Sequence, residues 1–100
     1  MPAVTRKGDS CTGHGCWPSR SSIEGSGNVF VNGIAAHRQG DGWAVHCCTH
    51  PGTPHGCHDS PLASGSSTVF VNGLQLGRVG DPVECGSSVA SGSGNVFAGD

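Results

Sequence analysis

The sequence predicts an all-β protein built from a three-fold internal repeat, and three observations point to this fold class. A nine-residue phrase occurs as GSGNVFVNG at 25–33, GSSTVFVNG at 65–73 and GSGNVFAGD at 92–100. A tetrad of the form R-x-G-D occurs at 6–9, 38–41 and 78–81. Glycine supplies 18 of the 100 residues and aromatic residues only 5, a composition typical of short strands joined by tight turns.

Each unit of the repeat is predicted to form a β-hairpin. The runs of β-branched and aromatic residues favour short strands, and Asn-Gly at 32–33 and 72–73 favours a type I′ turn. We expect the second strands over about 34–38 and 74–79. The first glycine of the phrase and the glycine of the tetrad are 15 residues apart in both complete units, so the two share one frame.

The third unit is divided between the two ends of the chain. The phrase at 92–100 has no tetrad after it, and the tetrad at 6–9 has no phrase before it. Joined end to end, they match the spacing of the other units to within one residue. We expect the N- and C-termini to pair as the third hairpin, which makes residues 1–100 a single domain. Below, units 1 and 2 are the complete units at 25–41 and 65–81, and unit 3 is the unit divided between the two ends of the chain.

Two features that recur in every unit are expected to be structural. Each unit has one phenylalanine at the same place, Phe30, Phe70 and Phe97. We expect these rings to pack in the shared core, with contact to a partner as the alternative. The Arg and Asp of each tetrad bracket a glycine turn, and as an exposed ion pair they would contribute at most about 1 kcal/mol.

Composition excludes several functional classes. A net charge of −2 without a basic stripe gives no footprint for nucleic acid or an anionic membrane. No apolar run is long enough to span a bilayer. Residues 1–20 lack the apolar segment of a secretory signal, so we expect synthesis in the cytoplasm and export, if any, by another route.

The segments between the units carry the candidate chemistry. All six cysteines and five of the six histidines lie in the segments 10–24, 42–64 and 82–91. Without a secretory signal, this composition favours metal binding over disulfides. Imidazole and thiolate together favour Zn²⁺.

The repeat frame selects four ligands. His14 and His46 follow the aspartate of their tetrads by five residues, and Cys85 follows its own by four. His58 and Cys85 each precede the next phrase by seven residues. We therefore predict one metal site of three nitrogens and one sulfur, made by His14, His46, His58 and Cys85.

Some alternatives remain open in the segments. His50 or His55 can replace His58 as a ligand, although both are expected to be exposed. His37 lies inside a unit and is expected to be a surface or hydrogen-bonded histidine rather than a ligand.

The remaining thiols also leave choices. Adjacent side chains point to opposite faces of a strand, so Cys47 and Cys48 are not expected to act as a vicinal pair, and one of them is expected to be buried and inert. A disulfide such as Cys11–Cys16 is an alternative to free thiols. The redox state is open for five cysteines: Cys11, Cys16, Cys47, Cys48 and Cys57.

Signals for catalysis are weak. The sequence has no nucleophile elbow, zinc-protease helix, phosphate-binding loop or dinucleotide fingerprint. Four protein ligands would also close a zinc ion to water. We expect a protein that is not an enzyme, unless the fourth ligand is wrong and the metal keeps an open position.

Taken together, these residues resemble the PAAR-repeat proteins, which cap the spikes of type VI secretion systems and contractile phage tails. The resemblance covers essentially the whole chain, through MPAVTRKGD, GHGCWP, GSGNVFVNGIAAHRQGDGWAVHCC, GSSTVFVNGLQLGRVGDPVECGS and GSGNVFAGD. It implies a pseudo-three-fold cone of three β-hairpins with long loops at a metal-binding tip. It also implies one structural zinc per chain, on the four ligands predicted above.

The resemblance further implies a function and partners. The base of the cone would sit on a trimeric β-helical spike of the VgrG or phage-tail type, one cap per trimer, and its point would penetrate a membrane or envelope. Secreted effectors are further partners. The protein would leave the cell through a contractile apparatus or form part of a virion tail tip. The alternative is a stand-alone zinc-binding or redox-responsive protein.

Overall fold

The computed structural model describes residues 1–48 and 56–100, and its regular structure is β throughout this part of the chain. Six short strands form three antiparallel pairs, β1–β2, β3–β4 and β5–β6. Their bounds are Phe30–Val31 (β1), Ile34–Ala35 (β2), His46–Cys48 (β3), Gly56–His58 (β4), Phe70–Val71 (β5) and Leu74–Gln75 (β6). Over the described residues, we find no helix with the length and apolar character needed to cross a bilayer.

The two complete units form the predicted hairpins. Asn32 and Gly33 have φ values of 55° and 76°, and Asn72 and Gly73 have 54° and 79°, as a type I′ turn requires. The second strands are shorter than the sequence pattern suggests. After two residues the second strand ends, and the following residues bridge to another unit instead, as Arg38 does with Leu76.

The third hairpin joins the two termini, as predicted. Ala3 bridges Phe97 in antiparallel register. The Val4 amide donates to the Val96 carbonyl at 2.9 Å, and the Ala98 amide donates to the Pro2 carbonyl at 3.1 Å. Both ends of the chain are therefore held in the sheet rather than frayed.

A closed ring of backbone hydrogen bonds joins the three units around the pseudo-three-fold axis. Thr5 N donates to Gly77 O at 3.0 Å, Gly77 N to His37 O at 2.9 Å, and His37 N to Thr5 O at 3.2 Å. The three residues stand at the same place in their units, directly before the tetrad arginine. A Cβ at Gly77 would lie 2.9 Å from Thr5 Cγ2 and 3.1 Å from the His37 carbonyl oxygen, so the ring needs glycine there.

The tetrads are less exposed than expected and join neighbouring units. In each tetrad the arginine and aspartate side chains form an ion pair with nitrogen–oxygen distances of 2.8–2.9 Å and little exposure of either group. Arg6 Nη1 also donates to Asn32 Oδ1 at 3.1 Å, and Arg38 Nη1 to Asn72 Oδ1 at 2.9 Å. The tetrads therefore bind the turn of the next hairpin, a structural role that surface ion pairs would not have.

The described residues form two separate apolar clusters, one among the hairpins and one among the segments that follow the tetrads. The hairpins surround Val4, Val31, Ala36, Val71, Leu76 and Ala98. The segments after the tetrads surround Cys11, Trp43, Leu62, Val83 and Val89. Cys85 packs against the second cluster, so this cluster supports one of the predicted metal ligands.

The expectation that the three phenylalanines pack in the core is wrong. Phe30, Phe70 and Phe97 are 57%, 54% and 52% exposed. Successive side chains of a strand point to opposite faces. The next residue in β1 and β5, Val31 and Val71, is the one that is buried, so each ring faces outward.

Candidate metal centre

Two of the predicted ligands lie opposite each other in a hairpin. His46 in β3 and His58 in β4 are register partners, with Cys47 opposite Cys57 beyond them. Because directly opposite residues of an antiparallel pair project to the same face, both imidazoles reach the same side.

Tight turns position the other two predicted ligands. The His14 amide donates to the Trp17 carbonyl at 3.0 Å, and the Trp17 amide donates to the His14 carbonyl at 2.8 Å. His14 and Trp17 therefore flank a two-residue turn. Gly15 in that turn has a φ of 51°. Cys85 lies in a turn closed by the Gly86 amide and the Val83 carbonyl at 2.9 Å, and Gly86 has a φ of 106°.

The four side chains converge. One ligand atom from each of His14, His46, His58 and Cys85 lies within 4.8 Å of all the others. His58 Nε2 is 3.0 Å from His14 Nε2 and 2.7 Å from His46 Nε2. Three imidazole nitrogens and one thiolate are a set that can hold a metal ion with four protein ligands. The sequence frame thus selected four residues that the fold brings together.

Hydrogen bonding and burial favour the metal-binding form of the imidazoles. His46 Nδ1 lies 2.8 Å from the Pro18 carbonyl, which can only accept, so the proton is on Nδ1 and the Nε2 lone pair faces the cluster. Burial and the nearby charges of Arg20 and the other histidines lower the pKa of His46, although the Pro18 bond partly opposes this. Burial, His58 and Arg20 likewise lower the pKa of His14.

The thiol is held in an environment that favours its thiolate. Burial raises the pKa of Cys85, but hydrogen bonds from Ser60 and Ser87 and the charge of Arg20 outweigh burial and lower the pKa overall. Arg20 Nη2 lies 3.0 Å from Cys85 Sγ. Since the thiolate is the form that binds metal, this environment prepares Cys85 as a ligand.

Arg20 is a site residue that the repeat frame did not identify. Its guanidinium is buried and donates to the Ala44 carbonyl at 2.8 Å and to Ser60 Oγ at 2.7 Å, besides Cys85. It therefore bonds to both other segments that supply ligands. One signal was present in the sequence: Arg20 is the only Lys or Arg outside the three tetrads.

Trp17 covers the imidazoles. Its ring stacks on His14 with the centroids 5.0 Å apart and lies 5.0 Å from the His58 ring. Its Nε1 donates to the Gly56 carbonyl at 3.0 Å, which fixes the indole over the start of β4. A partly buried indole in this place limits access of water to the cluster.

The cysteine pairing corrects an expectation. Disulfides join Cys16 to Cys48 and Cys47 to Cys57, whereas metal binding had been favoured over disulfides for these thiols. The alternative Cys11–Cys16 bridge is not formed, because Cys11 is buried in the second apolar cluster as a free thiol. Cys47 and Cys48 do not pair with each other, as predicted. Cys48 is the buried one of the two, but it is bonded to Cys16 rather than left as an inert thiol.

The other histidines divide into two groups. His37 is fully buried rather than on the surface, with Nδ1 2.8 Å from the Glu24 carbonyl oxygen and its ring 4.8 Å from that of Trp43. It is not part of the His/Cys cluster. His50 and His55, the alternatives to His58, lie outside the described residues.

Comparison with known proteins agrees with this architecture. No curated protein sequence matches the chain. The family model for the PAAR motif matches residues 12–91, from the turn before His14 to the end of the last segment. Because this match spans most of the chain and contains all four clustered side chains, the chain belongs to the PAAR motif family.

Proposed function

We propose that this protein is a spike-tip cap, with a structural zinc ion held by His14, His46, His58 and Cys85. The PAAR motif implies a role at the tip of the spike in type VI secretion systems and contractile phage tails. The observation that carries the proposal is the three-fold repetition of an exposed apolar side chain on one chain.

The exposed phenylalanines suit a trimeric partner. Phe30, Phe70 and Phe97 occupy equivalent positions and are each more than half exposed. A single chain therefore offers the same apolar contact three times around its pseudo-three-fold axis. Contiguous exposed apolar surface typically marks a protein interface, and exposed apolar residues accompany Phe30 and Phe70 in their hairpins, Val29 and Ile34 in unit 1 and Val69 and Leu74 in unit 2. A trimeric β-helical spike of the VgrG or phage-tail type has the matching symmetry, which gives one cap per trimer.

The ligand chemistry supports a structural zinc ion. One thiolate and three imidazoles are soft to intermediate donors, and Zn²⁺ accepts them in a tetrahedral site. Four protein ligands leave no position for a reacting water, which favours a structural role and a protein that is not an enzyme. A structural zinc contributes on the order of 10 kcal/mol to folding, and here it would join all three segments at the tip.

This arrangement supports a role in penetration. Held by zinc, the narrow end would remain ordered under load, while the hairpin end rests on the spike. The whole of 1–100 would act as one domain, carried out of the cytoplasm by a contractile apparatus or present at a virion tail tip. Secreted effectors would travel with it.

Binding to a spike tests the proposal directly. Purified protein is mixed with a trimeric spike of the VgrG or phage-tail type, and the mass of the complex is measured by light scattering. We expect one chain per trimer, and loss of the complex when Phe30, Phe70 and Phe97 are all changed to Ser. The control is Val45→Ser, which removes an exposed apolar side chain close in sequence to the ligand His46.

Two outcomes would contradict the proposal that the protein is a spike-tip cap. One is a wild-type protein that remains monomeric beside the spike, as a stand-alone zinc-binding or redox-responsive protein would. The other is a triple variant that binds as well as wild type. Zinc content by mass spectrometry, expected at about one ion per chain, tests the metal separately.

A further inference from the structure

We propose that the two disulfides make the three imidazole ligands into one covalent frame, so that thiol–disulfide chemistry controls how firmly the tip holds its metal. This inference rests on the proposed metal site. The four cysteines involved are not metal ligands, and the PAAR match does not by itself assign them a role.

The first bridge joins two ligand segments that are far apart in sequence. Cys16 is two residues after His14, and Cys48 is two residues after His46. The Cys16–Cys48 bond spans 32 residues with its Cα atoms 5.2 Å apart. It therefore fixes the His14 turn against strand β3.

The second bridge joins the two strands of the tip hairpin. Cys47 and Cys57 are register partners, directly beside the His46–His58 pair. Their Cα atoms are 4.1 Å apart. This hairpin has only three residues in each strand, and an isolated pair of strands this short is at best marginally stable. The bond therefore keeps His46 opposite His58.

The fourth ligand is outside this frame. Cys85 is a free thiol in a separate turn, outside both disulfides, and Arg20 Nη2 donates to its sulfur at 3.0 Å. In the oxidised protein the three imidazoles are already held together, so the metal has to order only the turn that carries Cys85. In the reduced protein the metal has to order the three histidine side chains and the two segments that carry them as well, which costs conformational entropy.

The two bridges differ in access. Cys47 and Cys57 are both exposed, whereas Cys48 in the other bridge is buried. Exchange begins when a thiolate attacks a disulfide sulfur, so an exposed bridge reacts first. With a dithiol reductant, two electrons and two protons pass to each bridge. Two cysteine thiols form, and the reductant becomes a cyclic disulfide.

The test compares one protein in two redox states. One sample of metal-free wild type is kept oxidised, and another is reduced with a dithiol. The reductant is removed under anaerobic conditions, and each sample is loaded with one equivalent of zinc. Transfer of zinc to a chromophoric chelator is then followed. We expect the reduced protein to release zinc about 10- to 100-fold faster, the range typical of losing the groups that orient metal ligands. Equal or slower release from the reduced protein would overturn the inference.

Thiol counting and paired variants locate the effect. The unfolded, metal-free oxidised chain should expose two thiols and the reduced chain six, since two of the six cysteines are free. The Cys47→Ser/Cys57→Ser variant should release zinc faster even when oxidised. The control Cys11→Ser removes a thiol that lies in neither bridge, so it should keep the full difference between redox states.

The outcomes separate this inference from the proposed metal site. Zinc that is released at the same rate in both redox states would agree with the proposed metal site but would contradict the redox control. Zinc bound in neither state would overturn the metal site and this inference with it. Six thiols in the oxidised chain would show that the bridges do not form, and would overturn the inference alone.

Discussion

At the scale of single residues, the buried Arg20 links the three segments that carry the candidate metal ligands. Its guanidinium lies against Cys85 Sγ and bonds to the Ala44 carbonyl and to Ser60 Oγ. A guanidinium can serve several acceptors at once because its donors form a fixed planar fork. Arg20 therefore positions the thiolate while joining three parts of the chain.

Changing Arg20→Met should weaken metal binding without removing a ligand. The thiolate loses its charged donor, and we expect zinc affinity to fall about 10- to 100-fold. Competition with a chelator of known affinity measures this change. Arg20→Lys should recover part of the loss, and Lys7→Met, which removes an exposed cation, should have no effect. Wild-type affinity in Arg20→Met would show that the guanidinium does not position Cys85.

A second prediction at this scale concerns His37. Burial lowers the pKa of His37, an effect only partly offset by the Glu24 carbonyl bond and the charges of Asp41 and Glu24, while Arg38 lowers it further. The folded protein therefore takes up the His37 proton less readily than the unfolded chain. The resulting stability is complete above the unfolded pKa of about 6.5 and is lost as pH falls towards the folded pKa.

The contribution of His37 is measured as a pH dependence. Denaturant titrations of metal-free protein between pH 7.5 and pH 5 are compared for wild type and His37→Asn. Asn can retain a donor to the Glu24 carbonyl but does not titrate. We expect wild type to lose more stability on acidification, by at most about 1.4 kcal/mol per pH unit for one group. Parallel curves for the two proteins would assign the acid sensitivity to other residues.

At the scale of elements, each hairpin turn is bound by a neighbouring unit. The unit 1 turn shows the pattern: Asn32 Oδ1 accepts from Arg6 Nη1 and from Ser93 Oγ, and Asn32 Nδ2 donates to Asn95 Oδ1. The same asparagine provides the positive φ of the turn. One residue type therefore shapes the hairpin and joins it to a neighbouring unit.

The ring of backbone hydrogen bonds should not tolerate a larger residue at Gly77. A Cβ there would lie 2.8 Å from Leu62 Cδ2 and 2.9 Å from Thr5 Cγ2. Gly77→Ala should destabilise the protein by about 1–3 kcal/mol, as overpacking does, measured by denaturant unfolding. The matched control is Gly27→Ala, where a Cβ meets nothing within 4 Å. We expect a change within about 0.5 kcal/mol there, and similar losses in both variants would disprove the steric explanation.

At the scale of the whole molecule, the chain consists of two parts with different means of support. The hairpin part has an apolar cluster drawn from all three units and a closed ring of backbone bonds. The tip has two disulfides and, as proposed, a metal ion that joins its segments. The two parts should therefore respond differently to loss of zinc.

Metal removal should loosen the tip more than the hairpins. With zinc removed by a chelator, or in Cys85→Ser, we expect a lower melting temperature and faster hydrogen exchange at the amides near His46 and Cys85. Amides of the ring around Thr5 and Gly77 should stay protected, because their bonds do not involve the ligands. Uniform loss of protection would mean that the molecule unfolds as one unit, and no loss would contradict a structural metal.

The local sequence determined the hairpins, the closure of the termini and the group of four candidate ligands. Asn-Gly turns specify their own backbone conformation. A repeat also places equivalent positions around one axis, so spacing alone related His14, His46, His58 and Cys85. These features follow from short-range chemistry and from symmetry, and both can be read along the chain.

Only the tertiary structure decided which way side chains face and which distant groups meet. Strand alternation puts Phe30 and Val31 on opposite faces, but the packing of the other units decides that the valine is inside. The Cys16–Cys48 bond and the contact of Arg20 with Cys85 join segments far apart in sequence. No local pattern encodes such contacts, because they depend on how the three units lie against one another.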